Sequence, residues 1–378
     1  MRADLDALKA PEGYLFAGAP RYRTLFGRDS IISAWQTLGT DPAIARATID
    51  VLAAHQGRRV DDASEQEPGK ILHEHRFDAA SQAELPAWRF PYYGSIDSTP
   101  LFLLLGAAYV SATGDLASAR RWWPAFEAAH LWMGTFGDRD GDGFLEYARR
   151  NPQGLFHQGW KDGSEDHLRI APPVALIEVQ GYAVAAHRAY ASLAVRLGRD
   201  AAAPGSEQAE SLRLRIDESF WDPEAGFFSL ALDGSKRPRR AITSNPGHLL
   251  VCEAVLPERV DALVSRLFAP DMFTRYGVRT HASSEPDFDP VGYHTGTVWP
   301  HDNWFLYRGL LASGRRSEAK AIREAILAVH EELGRIPELY AVVDDALVDL
   351  SREPIRGTRA NPLQAWASAG LLDMVRRG

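Results

Sequence analysis

The chain is written in helical pairs. "RDSIISAWQTLGT" is followed by "DPAIARATIDVLAAHQ", and "STPLFLLLGAAYVSATGD" by "LASARRWWPAFEAAHLWMGTFG". "PVALIEVQGYAVAAHRAYASLAVRLGRD" precedes "SEQAESLRLRIDESFW", and "SNPGHLLVCEAVL" precedes "PERVDALVSRLFA". "GTVWPHDNWFLYRGLLASG" leads into "RSEAKAIREAILAVHEEL", and "NPLQAWASAGLLDMVRR" closes the chain. The first member of most pairs is apolar nearly all round, as a helix covered on both sides must be, whereas the second carries its charges on one face. The joints are short and glycine-bearing, at Gly39, Gly114, Gly198 and Gly314. Glycine takes the left-handed position that ends one helix, and a following Asp or Ser caps the next. This is an αα-hairpin repeated about five times at an irregular period of roughly 75 residues.

A solenoid of such hairpins needs terminal repeats with a polar outer face, and neither end of this chain has one. The pattern therefore predicts an all-α fold in which inner helices close into a ring inside a ring of outer ones, with residues 1–378 as a single domain. Six hairpins need twelve helices, and eleven long ones are legible. The short "RADLDALK" at the start is the place for the missing inner helix.

The bulk numbers narrow the partners. Net charge is −8 with no long basic run, which excludes nucleic acid as the expected partner. The one cysteine, Cys252, lies in the apolar run "LLVCEAV" and reads as a small buried hydrophobe in a reducing compartment. No apolar stretch reaches membrane-spanning length, and MRADLDALKAPEG is not a signal peptide, so the expected location is the cytoplasm. Exposed apolar faces on the outer helices are not extensive, which points to a monomer or a weak homodimer.

Between the pairs lie long non-helical stretches at 57–98, 138–172, 222–243, 270–295 and 334–360. Loops of that length in a compact domain are usually functional, and in a ring of hairpins they can gather at one mouth. They, and the first turns of the inner helices, hold the aromatic and acidic residues that core packing does not explain. In "HQGWKDGSED", Trp160 offers a flat apolar face and Asp162, Glu165 and Asp166 offer carboxyl groups, with Lys161 between; a hydrated acidic loop is the other reading. A general acid needs a raised pKa, which an apolar wall or a second carboxylate supplies. In "TLFGRDS", Asp29 is an acid at a helix start, favoured by the dipole, yet an Arg28–Asp29 pair also suits sugar hydroxyls. "FPYYGSIDSTP" sets Tyr92 and Tyr93 near Asp97, either a sugar platform or a packed aromatic loop. "YHTGTVWPHDN" collects His294, Trp299, His301 and Asp302. Adjacent His301 and Asp302 point to different faces, so the expectation is hydrogen bonding to sugar or water, with no metal. In "GRIPELYAVV", Glu338 is an acid in apolar company, or simply a first-turn glutamate. "DRDGDGFLEY" has calcium-loop spacing at Asp138, Asp140 and Asp142, but Arg149 stands where the last acidic ligand belongs. It reads as a glycine-rich turn, with calcium as the minority alternative.

Taken in order, "TLFGRDSI", "EQEPGKILHE", "PYYGSIDSTPLFL", "QGWKDGSED", "IEVQGYA", "TSNPGHLL", "YGVRT", "YHTGTVWPHDN", "PEL" and "QAW" give a chain that resembles the catalytic domain of the bacterial amylo-α-1,6-glucosidase (glycogen-debranching) family. The resemblance runs from about residue 14 to the C-terminus. It implies an (α/α)6 barrel and hydrolysis with inversion, releasing glucose from the non-reducing end of an α-glucoside without cofactor or metal. Arg28 and Asp29 would hold the terminal glucose, Asp162 would be the general acid and Glu338 the general base. Gln180 of "IEVQGYA" and Arg279 of "YGVRT" would join Tyr93, Asp97, Trp160, Lys161, His294, Trp299, His301 and Asp302 in binding it. Where the family has a WKDS-x-D pattern, this chain has "WKDGSED", which leaves Glu165 as a rival proton donor to Asp162. The β-rich domain that commonly precedes the barrel is not seen in this sequence, so a short oligosaccharide is as good an expected substrate as glycogen. A sugar epimerase using His73, His75, His294 and His301, a phosphorylase using Lys161 and Arg279, and an inactive carbohydrate-binding protein are the alternatives. An acid in "WKD" together with one in "PEL" favours hydrolysis.

Overall fold

Apolar residues on every face bury the helix Ser98–Thr113 except for its last turn: Leu101, Phe102, Leu103 and Leu105 are all fully buried. It ends at Gly114, whose φ of 70° closes the last turn, and Asp115 caps the next helix by accepting the Ser118 N–H at 2.9 Å. The same grammar repeats along the chain. The computed structural model describes residues 1–200 and 202–377. In order its helices are α1 (Arg2–Leu8), α2 (Gly27–Thr37), α3 (Pro42–Ala54), α4 (Ala79–Ala83), α5 (Ser98–Thr113) and α6 (Leu116–Met133). They continue as α7 (Ile177–Leu197), α8 (Ala202–Phe220), α9 (His248–Val251), α10 (Pro257–Leu267), α11 (Pro300–Ala312), α12 (Arg316–Leu333) and α13 (Ala365–Arg377). Short antiparallel pairs, most of them two residues per strand, link the loops. No described helix is long and apolar enough to cross a membrane.

The apolar helices touch in a cycle. α2 packs on α5, α5 on α7, α7 on α9, α9 on α11, α11 on α13, and α13 back on α2. Outside them, α3 lies on α2 and α5, α6 on α5 and α7, α8 on α7, and α12 on α11 and α13. The first helix corrects the sequence reading. α1 is not the end of an inner helix; it packs on α13, which is itself a member of the cycle, so the sixth pair joins the two ends of the chain. The segment "SNPGHLLVCEAVL" is also shorter than expected. Asn245–Gly247 is a tight 3₁₀ turn and α9 stops at Val251, because Glu253 takes a φ of 51°. α4, inside the loop 57–98, was not foreseen: its buried side is missing, and Asp78 holds it by capping Ser81.

Cross-links between loops set the mouth. Leu25–Phe26 pairs with Glu74–His75, Gly18–Ala19 with Leu363–Gln364, and Val298 bridges to both Arg279 and Tyr340. Gly27 sits at the tightest of these junctions. A methyl group there would lie 2.0 Å from the Leu72 carbonyl oxygen, which is backbone and has nowhere to go. Gly27→Ala is therefore expected to cost about 1–3 kcal/mol, the usual range for overpacking, read as a lower denaturation midpoint.

Candidate active site

Six segments remote in sequence converge on one cavity of about 270 Å³. The stretch before α2 brings Tyr22 and Phe26, and the first turn of α2 brings Arg28 and Asp29. Loop 57–98 supplies His73, Glu74, Arg76 and Trp88, and loop 138–172 supplies Trp160 and Asp162. Tyr293, His294 and Trp299 lead into α11, Glu338 follows α12, and Gln364 and Trp366 open α13. The walls are aromatic. Trp160 meets Trp299 edge to face at 5.7 Å between ring centres, Trp299 meets Trp366 at 6.1 Å, and His294 stacks on Trp299. Aromatic walls with charged groups set among them, here Arg28, Asp29, Glu74, Arg76, Asp162 and Glu338, suit a polar small molecule. An adjoining cavity of about 570 Å³ shares Tyr22 and Arg76 with it and adds Arg21 and Arg23, along with Asp78, which accepts from Ser81, and Glu84, which pairs with Arg76.

The acids of the cavity are strongly perturbed. Arg28, 3% exposed, donates one nitrogen to both oxygens of Asp97, at 3.1 and 2.9 Å, and to the Gly159 carbonyl at 2.9 Å; its other terminal nitrogen pairs with Asp162. Burial raises the Asp162 pKa, Arg28 opposes the rise, and the Asp97 carboxylate adds to it. Glu338, 2% exposed, accepts the Tyr293 hydroxyl at 2.7 Å on one oxygen and the Asn361 N–H at 2.7 Å on the other. Burial lifts it to about 7 against both of those hydrogen bonds and the Arg21 charge, and Asp162 pushes the same way as burial. Asp29 accepts from Gln364 at 3.2 Å and is likewise raised to about 7 by burial.

Of the residues expected from the sequence, Arg28, Asp29, Trp160, Asp162, His294, Trp299 and Glu338 line this cavity. His73, named for the epimerase alternative, lines it as well. The others do not, and most are engaged elsewhere. The Tyr93 hydroxyl donates to the His55 carbonyl at 2.6 Å. Its neighbour Tyr92 is tied to Glu65. Asp97 is fully buried behind Arg28. Lys161 turns away from the cavity to donate to the Thr280 carbonyl at 2.7 Å, and burial lowers its pKa to about 8. Glu165 is exposed and does not line the cavity. Gln180 clamps the backbone of Leu145, accepting its N–H and donating to its carbonyl. Arg279 donates to the Val342 carbonyl and lies over Phe288. His301 is stacked on Trp366 at 3.8 Å, and Asp302 is paired with His248 at 2.7 Å, both fully buried. In "WKD" the alternation is plain: Trp160 and Asp162 line the cavity and Lys161 between them does not.

Several lining residues went unnamed in the sequence reading. Tyr293, Gln364 and Trp366 sat inside the quoted motifs "YHTGTVWPHDN" and "QAW". Trp88 and Tyr22 gave no signal, being single aromatics in irregular stretches.

Residues 22–347 match the sequence profile of the mannosylglycerate hydrolase MGH1-like glycoside hydrolase domain. A mannosylglycerate hydrolase of Rubrobacter radiotolerans is 29% identical over 199 residues, 51% of this chain; the match spans 42% of that relative's length. The crystal structure of the GH63 mannosylglycerate hydrolase of Thermus thermophilus in complex with glucose superposes with a TM-score of 0.74 at 18% identity, over 100% of this chain and 98% of that one. A rhamnosidase of Klebsiella oxytoca with rhamnose bound gives 0.63 at 16% identity, over 96% of this chain and 60% of that one. These likenesses carry the fold: a mostly helical glycosidase architecture. The matching family is described by mannosylglycerate rather than by glycogen, so the sequence expectation holds at the level of a glycoside hydrolase and its debranching assignment is not supported by this match. The chain belongs to the MGH1-like glycoside hydrolase family.

Proposed function

We propose that this glycoside hydrolase cleaves a short α-glycoside, one hexosyl unit on a small anionic aglycone, with inversion at the anomeric carbon, on an (α/α)6 ring of six hairpins. The observation that carries the reading is that Asp162 and Glu338, 176 residues apart in the numbering, line one aromatic-walled cavity. Trp160, Trp299 and Trp366 offer faces to the C–H groups of the ring, and Asp29 and Gln364 offer acceptors and donors to its hydroxyls. Asp162 is the proton donor. Arg28 is already matched by the fully buried Asp97, so Arg28, Asp97 and the partly buried Asp162 together carry one excess negative charge. A proton on Asp162 removes it. Glu338 is the base that takes a proton from the attacking water. Inversion needs the two carboxyl groups roughly 6.5–9.5 Å apart, with room for that water between.

The cavity, about 270 Å³, lies just below the usual range for bound ligands, about 300–1,000 Å³, which favours one sugar over a polymer branch. Arg21 and Arg23, in the adjoining cavity, donate to the Arg359 and Ala7 carbonyls, and among the described residues neither pairs with a carboxylate. Their charge suits an acidic aglycone, and the relatives named for mannosylglycerate support a hexosylglycerate. Release of glucose from an α-1,6-linked or other short α-glucooligosaccharide is the second arm of the test. Hexose release from mannosylglycerate, glucosylglycerate, isomaltose, maltose, sucrose and trehalose, with and without phosphate, separates the readings. Proton NMR of the first-formed anomer reads inversion directly. Turnover of glycerate conjugates with an inverted first anomer supports the proposal; retention, or turnover only with phosphate, ends it.

One consequence concerns Asp97. Asp97→Asn removes a buried negative charge and leaves Arg28 to Asp162 alone, and both changes lower the Asp162 pKa. An acid must be protonated to act, so the alkaline limb of kcat/KM is expected to move to lower pH in this variant. An unmoved alkaline limb would remove Asp97 from this role.

A further inference from the structure

The first segment of loop 138–172, residues 138–149, takes no part in the cavity, yet it is built for a cation. In a calcium loop the first, third and fifth positions and the ninth give oxygen ligands, the seventh gives its carbonyl, and the sixth is a glycine that makes the sharp turn. Here those positions are Asp138, Asp140, Asp142, Glu146, Phe144 and Gly143, and Gly143 has a φ of 85°. Asp138 accepts the N–H groups of Gly141 and Gly143 at 2.9 and 3.0 Å, and one oxygen from each of the three aspartates lies within 4.8 Å of the others. The twelfth position is Arg149, which donates to the Gly154 and Ser164 carbonyls.

An ammonium group fills the centre. Lys236 comes from the turn between Ala231–Leu232 and Pro238–Arg239, which pair with each other. Its Nζ lies 3.0 Å from Asp140 and 2.6 Å from Asp142, and it also pairs with Glu146. Glu146 is 1% exposed, and its second oxygen has no hydrogen-bond partner. A fixed turn delivers the lysine. Asp233 accepts the backbone N–H groups of Ser235 and Arg237, and Lys236 itself is held at a φ of 60°. The side chain therefore arrives from outside the loop at the point where loop carboxylates from the third, fifth and ninth positions meet.

We propose that Lys236 is the resident cation of this loop, standing where a calcium-type loop holds its divalent ion, and that the loop binds Ca²⁺ once this ammonium is removed. Three carboxylates on one ammonium, with the Asp138 carboxylate close to those of Asp140 and Asp142, leave a negative surplus, partly met by Arg215, which donates to the Asp142 carbonyl at 2.5 Å. A divalent ion matches that surplus better than a single positive charge does. The lysine, however, is covalently present at every ion concentration and ties the loop to the turn at 233–237. The next residue after Glu146, Tyr147, hydrogen-bonds His157 at 2.6 Å, so the lock also steadies the stretch that leads to Asp162.

The test is calcium titration of the full chain by calorimetry, with Lys236→Met keeping the apolar stem. Wild type is expected to show no saturable binding up to about 1 mM Ca²⁺, the weak end for calcium modules. Lys236→Met is expected to bind one Ca²⁺ at least tenfold more tightly than that limit, and Ca²⁺ but not Mg²⁺ should raise its Tm towards the wild-type value. Adding Asp140→Asn should abolish both effects. A folded Lys236→Met variant that ignores Ca²⁺, or a wild type that binds it as tightly as the variant, overturns the proposal. If Lys236→Met folds poorly, refolding it and Lys236→Gln in calcium or in chelator decides the matter: no rescue of either by calcium also overturns it.

Discussion

Asp162→Asn is expected to reduce kcat by about 10²–10⁴-fold on a glycoside whose leaving group is an alkoxide, the usual worth of a positioned acid. The fold should persist, because Arg28 keeps Asp97 and the Gly159 carbonyl as partners when the Asp162 carboxylate is lost. The informative comparison is with an activated substrate. A glycosyl fluoride or a nitrophenyl glycoside departs without a proton, so the same variant should lose far less on it. A defect of equal size on both substrates would make Asp162 a binding or structural group rather than the donor. Glu165→Gln is the control: Glu165 is exposed and outside the cavity lining, and little change is expected on either substrate. Steady-state kinetics on the two substrate types, with circular dichroism of each variant, reads all of this.

The pairing of helices was legible because two independent signals coincide, apolar periodicity and a glycine at the joint. Gly114 and Gly198 both take the left-handed conformation that those joints require. Where one signal stood alone, the reading failed. "LLVCEAV" is apolar but for Glu253, and hydropathy carries no backbone information: the chain turns at that residue. The sixth pair was hidden for a different reason: α1 and α13 are neighbours only through ring closure, which no local pattern records.

At the site, sequence located the elements better than the faces. Lys161 and Asp162 are consecutive, yet one points to Thr280 under the floor and the other into the cavity. Outside regular structure there is no period to say which neighbour faces in. The charged residues that went astray, Asp97, Arg279 and Asp302, are each matched by a partner or carbonyl more than 20 residues away. Such a partner is available only after folding, so a buried ion pair and a substrate ligand look alike in a linear reading.

Glu338→Gln is expected to reduce turnover on every substrate alike, activated or not, by about 10²–10⁴-fold, because an attacking water needs its proton removed whatever the leaving group. The wild-type pH profile carries the same assignment. Burial holds the Glu338 pKa at about 7, with Asp162 reinforcing the rise and the Asn361 N–H and Tyr293 hydroxyl opposing it. A base works ionised, so kcat/KM should fall as pH drops through about 7, in proportion to the ionised fraction. Tyr293→Phe removes one group that favours ionisation, so the acid limb should move to higher pH while the alkaline limb stays. Smaller variants supply a check that simple loss of structure cannot imitate. In Glu338→Ala, azide needs no deprotonation and fits the place of the water, so added azide should restore turnover of a glycosyl fluoride and give a glycosyl azide of inverted configuration. Loss of activity with no azide product and an unmoved acid limb in Tyr293→Phe would leave Glu338 as a brace for Asn361 and Tyr293 and take the base out of the mechanism.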